Sequence, residues 1–250
     1  MAKEILNIQH LKRSFAMGGE TVHALKDVSF SVQAGEFVTI MGSSGSGKTT
    51  MLNILGCLDS PTDGVYLLDG VDVGKLDRNQ LAGLRNAKIG FVFQSYNLLA
   101  RTSALENVEL PLFYNKKISA TERKQKAIKA LEAVKLEERL DHMPNQLSGG
   151  QQQRVAIARA LVGEPVMILA DEATGNLDTR TSYEIMALMQ DLNKEGKTIV
   201  FVTHEPDIAA FSSRTIMLRD GLVQKDIKNE QVRSARQALE ELPVADSYSL

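Results

Sequence analysis

The sequence predicts an α/β protein: a buried parallel sheet, antiparallel hairpins beside it and a helical insert. Three observations predict it. Residues 37–41, 166–170 and 198–202 are short runs that are apolar on both faces, as strands covered on both sides are. The first run leads straight into a glycine-rich loop and a helical segment. Asp69-Gly70 and Asp220-Gly221 each stand between apolar residues, a strong hairpin signal.

Taken in order, residues 5–8 and 28–32 read as strands. Val28, Phe30 and Val32 alternate with Ser29 and Ser31, the period of a half-exposed antiparallel strand. A helix is expected over about 48–58, with Cys57 on it as a small buried hydrophobe. Residues 65–73 form the first hairpin. The stretch 96–163 is expected to be mainly helical. Ser119 and Glu122 have capping-box spacing, and Ile128, Leu131 and Val134 recur at helical intervals. Lys124, Lys126 and Lys129 read as a solvated helix face. A helix over 152–162 stops at Gly163 and Pro165. The second hairpin spans 216–223. A single domain is expected over 1–228, its helical part at 96–163. A polar tail follows over 229–250, partly helical at 232–242 and loose after Pro243. No internal repeat, low-complexity segment or linker divides the chain.

With 250 residues, 43% of them hydrophobic, the chain can bury a sizeable core. Its net charge is -2, from 29 Lys and Arg against 31 Asp and Glu, which gives no electrostatic reason to expect a nucleic-acid partner. One cysteine excludes an internal disulfide and fits a reducing compartment. No apolar run approaches the roughly 18–20 residues that cross a bilayer. Met1-Ala2-Lys3-Glu4 leads directly into a strand without an apolar signal region. A cytoplasmic protein is expected, one that meets a membrane only through a partner.

Gly42-Ser43-Ser44-Gly45-Ser46-Gly47-Lys48-Thr49 fits G-x-x-x-x-G-K-[ST] in the context the motif requires, a buried strand before it and a helix after it. Glycines let the backbone wrap closely around phosphates. Successive N–H groups and the helix N-terminus point at the anion, with Thr50 in that first turn. Lys48 sets a cation against the β- and γ-phosphates, and the Thr49 hydroxyl can ligate Mg²⁺. The expected ligand is MgATP, and the expected reaction is its hydrolysis.

The run at 166–170 ends in Asp171-Glu172, which puts two carboxylates at the carboxyl edge of the sheet, where ligands of parallel α/β folds sit. Asp171 is expected to hold Mg²⁺ and Glu172 to orient and deprotonate the attacking water. Leu147-Ser148-Gly149-Gly150-Gln151 precedes the helix at 152–162. A serine hydroxyl and free N–H groups at a helix N-terminus make a second anion site. Two phosphate-binding elements in one chain suggest a nucleotide held between two subunits.

At these residues the chain resembles the ATP-binding cassette family, the nucleotide-binding subunits of ABC transporters. The resemblance covers about residues 4–225. It rests on the phosphate loop, Gln94 after Phe91-Val92-Phe93, Leu147-Ser148-Gly149-Gly150-Gln151, Asp171-Glu172, Asn176-Leu177-Asp178 and Thr203-His204, in family order. It implies a P-loop NTPase (RecA-like) core with an antiparallel β subdomain and an inserted helical subdomain. It also implies two subunits packed head to tail around two ATP molecules. Ser148, Gly149 and Gln151 of one subunit, with Gly150 among them, would face the γ-phosphate held by Lys48 of the other. Gln94 would contact Mg²⁺ or the water and report to a membrane partner. His204 would hold the γ-phosphate, and Asp178 would lie in the loop linking the two sites. Asp178 also has the position of an N-cap for a helix from about Arg180. At the place of the family's adenine-stacking aromatic stands Phe15, whose ring face serves without a hydroxyl; core packing is its rival role.

Within the family the chain looks most like the ATPases of the lipoprotein-releasing and macrolide-exporter type. The resemblance lies in Thr49-Thr50-Met51-Leu52-Asn53-Ile54-Leu55-Gly56, in Asn97-Leu98-Leu99 and in the stretch from Asp171 to Asp178. It implies a motor whose ATP-driven closure moves an integral membrane permease-type partner, for export, lipoprotein release or mechanotransmission. Regulation of a membrane-bound cell-wall hydrolase or sensor is the alternative. A nucleic-acid ATPase is a further class. Lys48 and Ser148 are 100 residues apart with no heptad run between them, and only one cassette is present, unlike the repair and ribosomal members.

Overall fold

The computed structural model describes residues 3–115 and 117–243. Among the described residues ten strands form one sheet. Four of its members are parallel neighbours at one end of the sheet, with β6 at the edge: β3 (Phe37–Met41), β6 (Ile89–Phe93), β7 (Met167–Asp171) and β8 (Ile199–Thr203). They run in the order β3-β8-β7-β6, with β9 (Arg214–Arg219) parallel on the far side of β3. β9 and β10 (Leu222–Lys228) form the hairpin expected at Asp220-Gly221, and Asp220 turns there at φ 50. This hairpin is more than a margin, since β9 joins the parallel core.

The antiparallel part consists of β1 (Glu4–Met17), β2 (Glu20–Gln33), β4 (Asp63–Leu68) and β5 (Val71–Asp72). β1 and β2 pair along nearly their whole length, so both strands far exceed the expected 5–8 and 28–32. The physical reason lies in the register shifts along β1, including one between Ile8 and Leu11 where His10 turns at φ 51. A bulge breaks the period of two and hides the strand from pattern reading.

The central strands are buried on both faces because two hydrophobic clusters sandwich the sheet. Ile199 and Phe201 of β8 enter one cluster, and Val200 and Val202 enter the other. Against the first face pack α3 (Ala104–Glu109), α4 (Ala120–Ala133), α5 (Gly149–Leu161) and α6 (Thr179–Lys194). Against the second packs α1 (Lys48–Leu55), which follows the phosphate loop. The region 96–163 carries α3, α4 and α5 joined by irregular chain and short tight turns, so it is helical in part.

Several expectations need correcting. α1 stops at Leu55 with Gly56 as its cap, and Cys57 lies beyond the helix at φ 53, although it is buried as expected. The Ser119 hydroxyl accepts from the Glu122 N–H at 3.2 Å, so only that half of a capping box forms. A complete box caps the unforeseen α2 (Arg78–Lys88) through Asp77 and Gln80. Lys126 is paired with Glu164 at 2.6 Å, whereas Lys124 and Lys129 are solvated. The polar tail is docked as far as 243. After α7 (Pro206–Ala209), α8 (Ala235–Glu240) buries Ala235 and Ala238 in the first cluster beside α6. Residues 244–250 of the expected tail lie outside the described residues.

Candidate active site

The phosphate loop is shaped by what surrounds it. β3 delivers the chain to Gly42, and α1 takes it away from Lys48. Gly47 caps α1 at φ 101, and a Cβ there would stand 2.8 Å from the Ala24 carbonyl oxygen and 2.9 Å from Leu25 Cδ2. Only glycine meets both demands. The turn between β9 and β10 buttresses the loop: the Gly221 N–H donates to the Ser46 carbonyl at 3.1 Å. Lys48 Nζ donates to the carbonyls of Gly42 at 2.6 Å and Ser43 at 2.9 Å, so the ammonium is held inside the curve of the loop. That is the position from which a cation faces a phosphate cradled by the loop's N–H groups.

The loop floors a cleft of ≈ 1120 Å³. Ser43, Ser44, Gly45, Thr49 and Thr50 line it, with Glu172 and His204 on one side and Val22, His23 and Lys26 on another. Ser46 is buried instead of lining the cleft. Glu172 follows the end of β7 and His204 follows the end of β8, neighbouring parallel strands, which is why two residues distant in sequence meet. His204 Nδ1 lies 2.8 Å from Glu172 Oε1. A carboxylate can only accept, so Nδ1 carries the proton and the second carboxylate oxygen stays free of that bond.

Asp171 is the last residue of β7. Burial, and then the neighbouring Glu172, push its carboxyl above the ordinary aspartate value, while Lys48 pulls the other way. A desolvated carboxylate beside a second one is poised for a cation. Among the described residues no group of three or more His, Cys, Asp or Glu side chains is placed to hold a metal ion by itself. The Asp171 carboxyl with the Thr49 hydroxyl is a donor set that fits Mg²⁺, which keeps waters and phosphate oxygens and takes only one or two protein ligands.

Besides Asp171, Ser46 and the Ser148–Gln151 element, three expected residues stand apart from the cleft lining. Gln94, just past the end of β6, is tied to the 171–178 turn: its Nε2 donates to Asn176 Oδ1 at 3.2 Å, and Asn176 Nδ2 donates to the Gln94 carbonyl at 3.1 Å. Phe15 lies on β1 directly across from Val22, with the Arg13 guanidinium 4.5 Å from its ring centroid. Val22 reaches the cleft and Phe15 does not line it. Asp178 is the N-cap of α6. Its carboxylate accepts from the Thr181 hydroxyl at 2.6 Å and the Thr181 N–H at 2.9 Å, and those bonds hold it below the ordinary aspartate value.

The second anion element sits elsewhere. Ser148 caps α5 in a complete capping box: the Ser148 N–H donates to Gln151 Oε1 at 2.9 Å, and the Gln151 N–H to Ser148 Oγ at 3.3 Å. Ser148, Gly150 and Gln151 line a groove of ≈ 300 Å³ together with Arg154 and Thr181. Gly149 is packed beneath, its Cα side closed by the Tyr96 hydroxyl. No residue lines both the groove and the cleft.

Sequence reasoning missed Tyr96, Gln153 and Arg159. Arg159 on α5 donates to the carbonyls of Asn97 at 2.5 Å and Tyr96 at 2.8 Å, and burial lowers its guanidinium below the ordinary value. These two carbonyls follow consecutive left-handed residues, at φ 59 and 50. An arginine at a core-facing turn of α5 was the available signal.

Comparison with known proteins places the chain. The family model described as ABC transporter matches residues 25–175. An ABC transporter ATP-binding protein of Bacillus subtilis, YvrO, is 52% identical over 226 residues, covering 90% of this chain and 98% of the relative. The macrolide export ATP-binding/permease protein MacB of Chlorobaculum tepidum is 49% identical over 229 residues, which are 92% of this chain and 35% of that longer protein. Among solved structures, the dimeric post-hydrolysis state of the ATP-binding cassette MJ0796 bound to ADP and Pi superposes with a TM-score of 0.81 at 48% identity, covering 90% of this chain and 99% of that one. The ATP-binding protein MJ0796 comes from Methanocaldococcus jannaschii.

Proposed function

The chain belongs to the ABC transporter family as an ATP-binding and ATP-hydrolysing subunit, and from that premise we propose that it is the motor of a membrane complex whose two ATP sites form only between two copies of the chain. One observation carries the proposal. The phosphate loop and the Ser148–Gln151 element occupy a cleft and a groove that share no residue, so the two phosphate-binding elements lie in separate sites within one copy. Head-to-tail pairing sets the groove of one copy over the cleft of the other, twice. The relative MJ0796 is dimeric with ADP and Pi, which supports the same arrangement here.

In the composite site, the phosphate-loop N–H groups and Lys48 hold the β- and γ-phosphates, and Ser148, Gly149, Gly150 and Gln151 of the second copy close on the γ-phosphate. Phe15, beside Val22, is the base-stacking ring. Thr49, Asp171 and Gln94 are the residues that would hold Mg²⁺, which supplies neutralisation of phosphate charge when bound. Glu172 accepts the proton of the water that attacks the γ-phosphorus, and ADP departs as the bond to the β-phosphate oxygen breaks. His204 fixes Glu172 through the 2.8 Å bond, and its Nε2, when it too carries a proton, donates to the γ-phosphate. Asp178, at the start of α6, belongs to the segment joining the two sites.

ATP moves such a machine only by binding the closed dimer more tightly than the open one. Shifting the pair from 1:99 to 99:1 closed takes about 5.5 kcal/mol of differential affinity. Among the described residues no helix is long and apolar enough to cross a membrane. The motion is delivered to a permease-type membrane part, a reading supported by the chain's membership of the ABC transporter family. The similarity to MacB, a macrolide export protein, favours export as the output.

The test uses Glu172→Gln, expected to keep ATP binding and to slow hydrolysis about 10²- to 10⁴-fold. Immobilised with MgATP and exposed to detergent-solubilised membranes, the variant retains a membrane subunit with few spans and a large extracytoplasmic domain. Retention of ribosomes or nucleic acid with no membrane protein refutes the partner half of the proposal.

A further inference from the structure

Gln153 lies on α5 and is fully buried, yet nothing described so far uses it. Its Nε2 donates to the Ala173 carbonyl at 2.7 Å. Its Oε1 has no hydrogen-bond partner among the described residues. A buried acceptor left unmatched is destabilising, so a purely packing role would be better filled by an apolar side chain. What the glutamine adds is the single bond to Ala173.

Ala173 follows Glu172, and the backbone there is unusual. Glu172 stands at φ 44, in the left-handed region that a residue with a Cβ rarely occupies. Its N–H donates to the Val202 carbonyl at 2.9 Å, and its own carbonyl accepts from the Gly175 N–H at 2.9 Å. Those bonds fix the near side of the turn to β8 and to the turn itself. The Ala173 carbonyl fixes the far side, and the group that holds it comes from α5. The same helix carries Ser148 and Gln151 at its N-terminal end, and Arg159 further along grips the loop behind Gln94. α5 thus joins the groove, the Gln94 loop and the turn bearing Glu172 in one rigid element.

We infer that Gln153 is a positioning residue: through the Ala173 carbonyl it ties the seating of α5 on the second copy's nucleotide to the placement of the Glu172 carboxylate. This rests on the reading that Glu172 takes the proton of the attacking water. When the N-terminal end of α5 docks, the helix shifts as a body, and Gln153 carries that shift to the residue that must meet the water. A displacement of about 1 Å at that carboxylate is enough to cost about 10²-fold in rate.

Gln153→Met keeps the length of the side chain and removes the donor. The expected result is a kcat lower by about 10- to 100-fold, with KM for ATP and ATP-driven dimer formation unchanged. In the Glu172→Gln background the same substitution gives no further loss, because the group it positions is already gone. Gln153→Glu adds a second readout. Its ionised carboxylate cannot donate to the Ala173 carbonyl and its protonated form can, so its activity relative to the parent recovers as pH is lowered from 8.5 to 6. Parental kcat in Gln153→Met overturns the inference. So does an equal further loss in the Glu172→Gln background, which marks a structural role. Should Gln153→Met not fold, a flat pH ratio for Gln153→Glu overturns it. Parental turnover in Glu172→Gln alone removes the premise about Glu172, and the inference falls with it; that outcome is distinct from the additive one.

Discussion

Replacing Gly47 with alanine tests whether the phosphate loop is shaped by backbone conformation together with close packing, and Gly45→Ala separates the two. Gly45 has φ +77 with nothing within 4 Å of an added Cβ, whereas at Gly47, φ +101, the Cβ would press on the Ala24 carbonyl and Leu25. Placing a non-glycine residue in the left-handed region costs about 1–2 kcal/mol. Alanine stiffens the unfolded chain and returns about 0.4–1 kcal/mol of that. Gly45→Ala is therefore destabilising by about 0–1.6 kcal/mol. At Gly47 the overlap with a backbone oxygen and a fully buried leucine adds about 1–3 kcal/mol, as forced overpacking does. The sum for Gly47→Ala is about 1–4.6 kcal/mol. A chain of this size loses roughly 2–4 °C of Tm per kcal/mol. Nucleotide-free thermal melts should fall by about 0–6 °C for Gly45→Ala and by about 2–18 °C for Gly47→Ala, the latter always the larger because the overlap adds to the same backbone cost. Equal shifts for the two variants would show that packing against β2 does not shape the loop.

Two further outcomes follow from the charges and the thiol. Burial and Glu172 raise the Asp171 carboxyl, so its ionised form opposes folding; that penalty is absent below the ordinary aspartate value and grows as pH rises through the raised one. Asp171→Asn should therefore raise Tm at pH 7, lose this advantage near pH 3, and abolish MgATP hydrolysis; an unchanged Tm at pH 7 contradicts it. Burial pushes the Cys57 thiol up to about 11, so in native protein at pH 8 a thiol reagent should label it only at the rate of unfolding, and stoichiometric labelling within seconds contradicts its enclosure.

The parts of the fold legible in the sequence are those where one physical demand acts alone. The strands over 37–41, 166–170 and 198–202 are enclosed on both faces, so their apolar runs stand out, and the structure places β3, β7 and β8 within one residue of them. The phosphate loop was legible because an anion sets the spacing of its glycines and lysine, while the packing of Gly47 against β2 left no mark of its own in the sequence. β1 and β2 were half hidden because bulges interrupt their alternation. α2 was missed because Leu81 is the one residue it buries, so there was little apolar period to read, and the Asp77 and Gln80 cap was its only clear mark. The meeting of Glu172 with His204, and of Gln153 with Ala173, depends on which strands and helices become neighbours. Sequence spacing carries no such information. Asp178 serves as the helix cap in this chain, and the place between two sites proposed for it would belong to the dimer.

The central claim is that each ATP site is shared by two copies of the chain. Sedimentation of Glu172→Gln at saturating ATP tests it most directly, with Lys48→Ala and Ser148→Arg introduced separately into that variant. The account predicts a dimer holding two ATP molecules for Glu172→Gln, a monomer when ADP replaces ATP, and a monomer for either second substitution alone. It further predicts that an equal mixture of the two double variants recovers dimers that hold one ATP, since one intact composite site forms in the mixed pair. A Glu172→Gln protein that binds ATP fully and stays monomeric contradicts the account, as does a Ser148→Arg form that dimerises unimpaired.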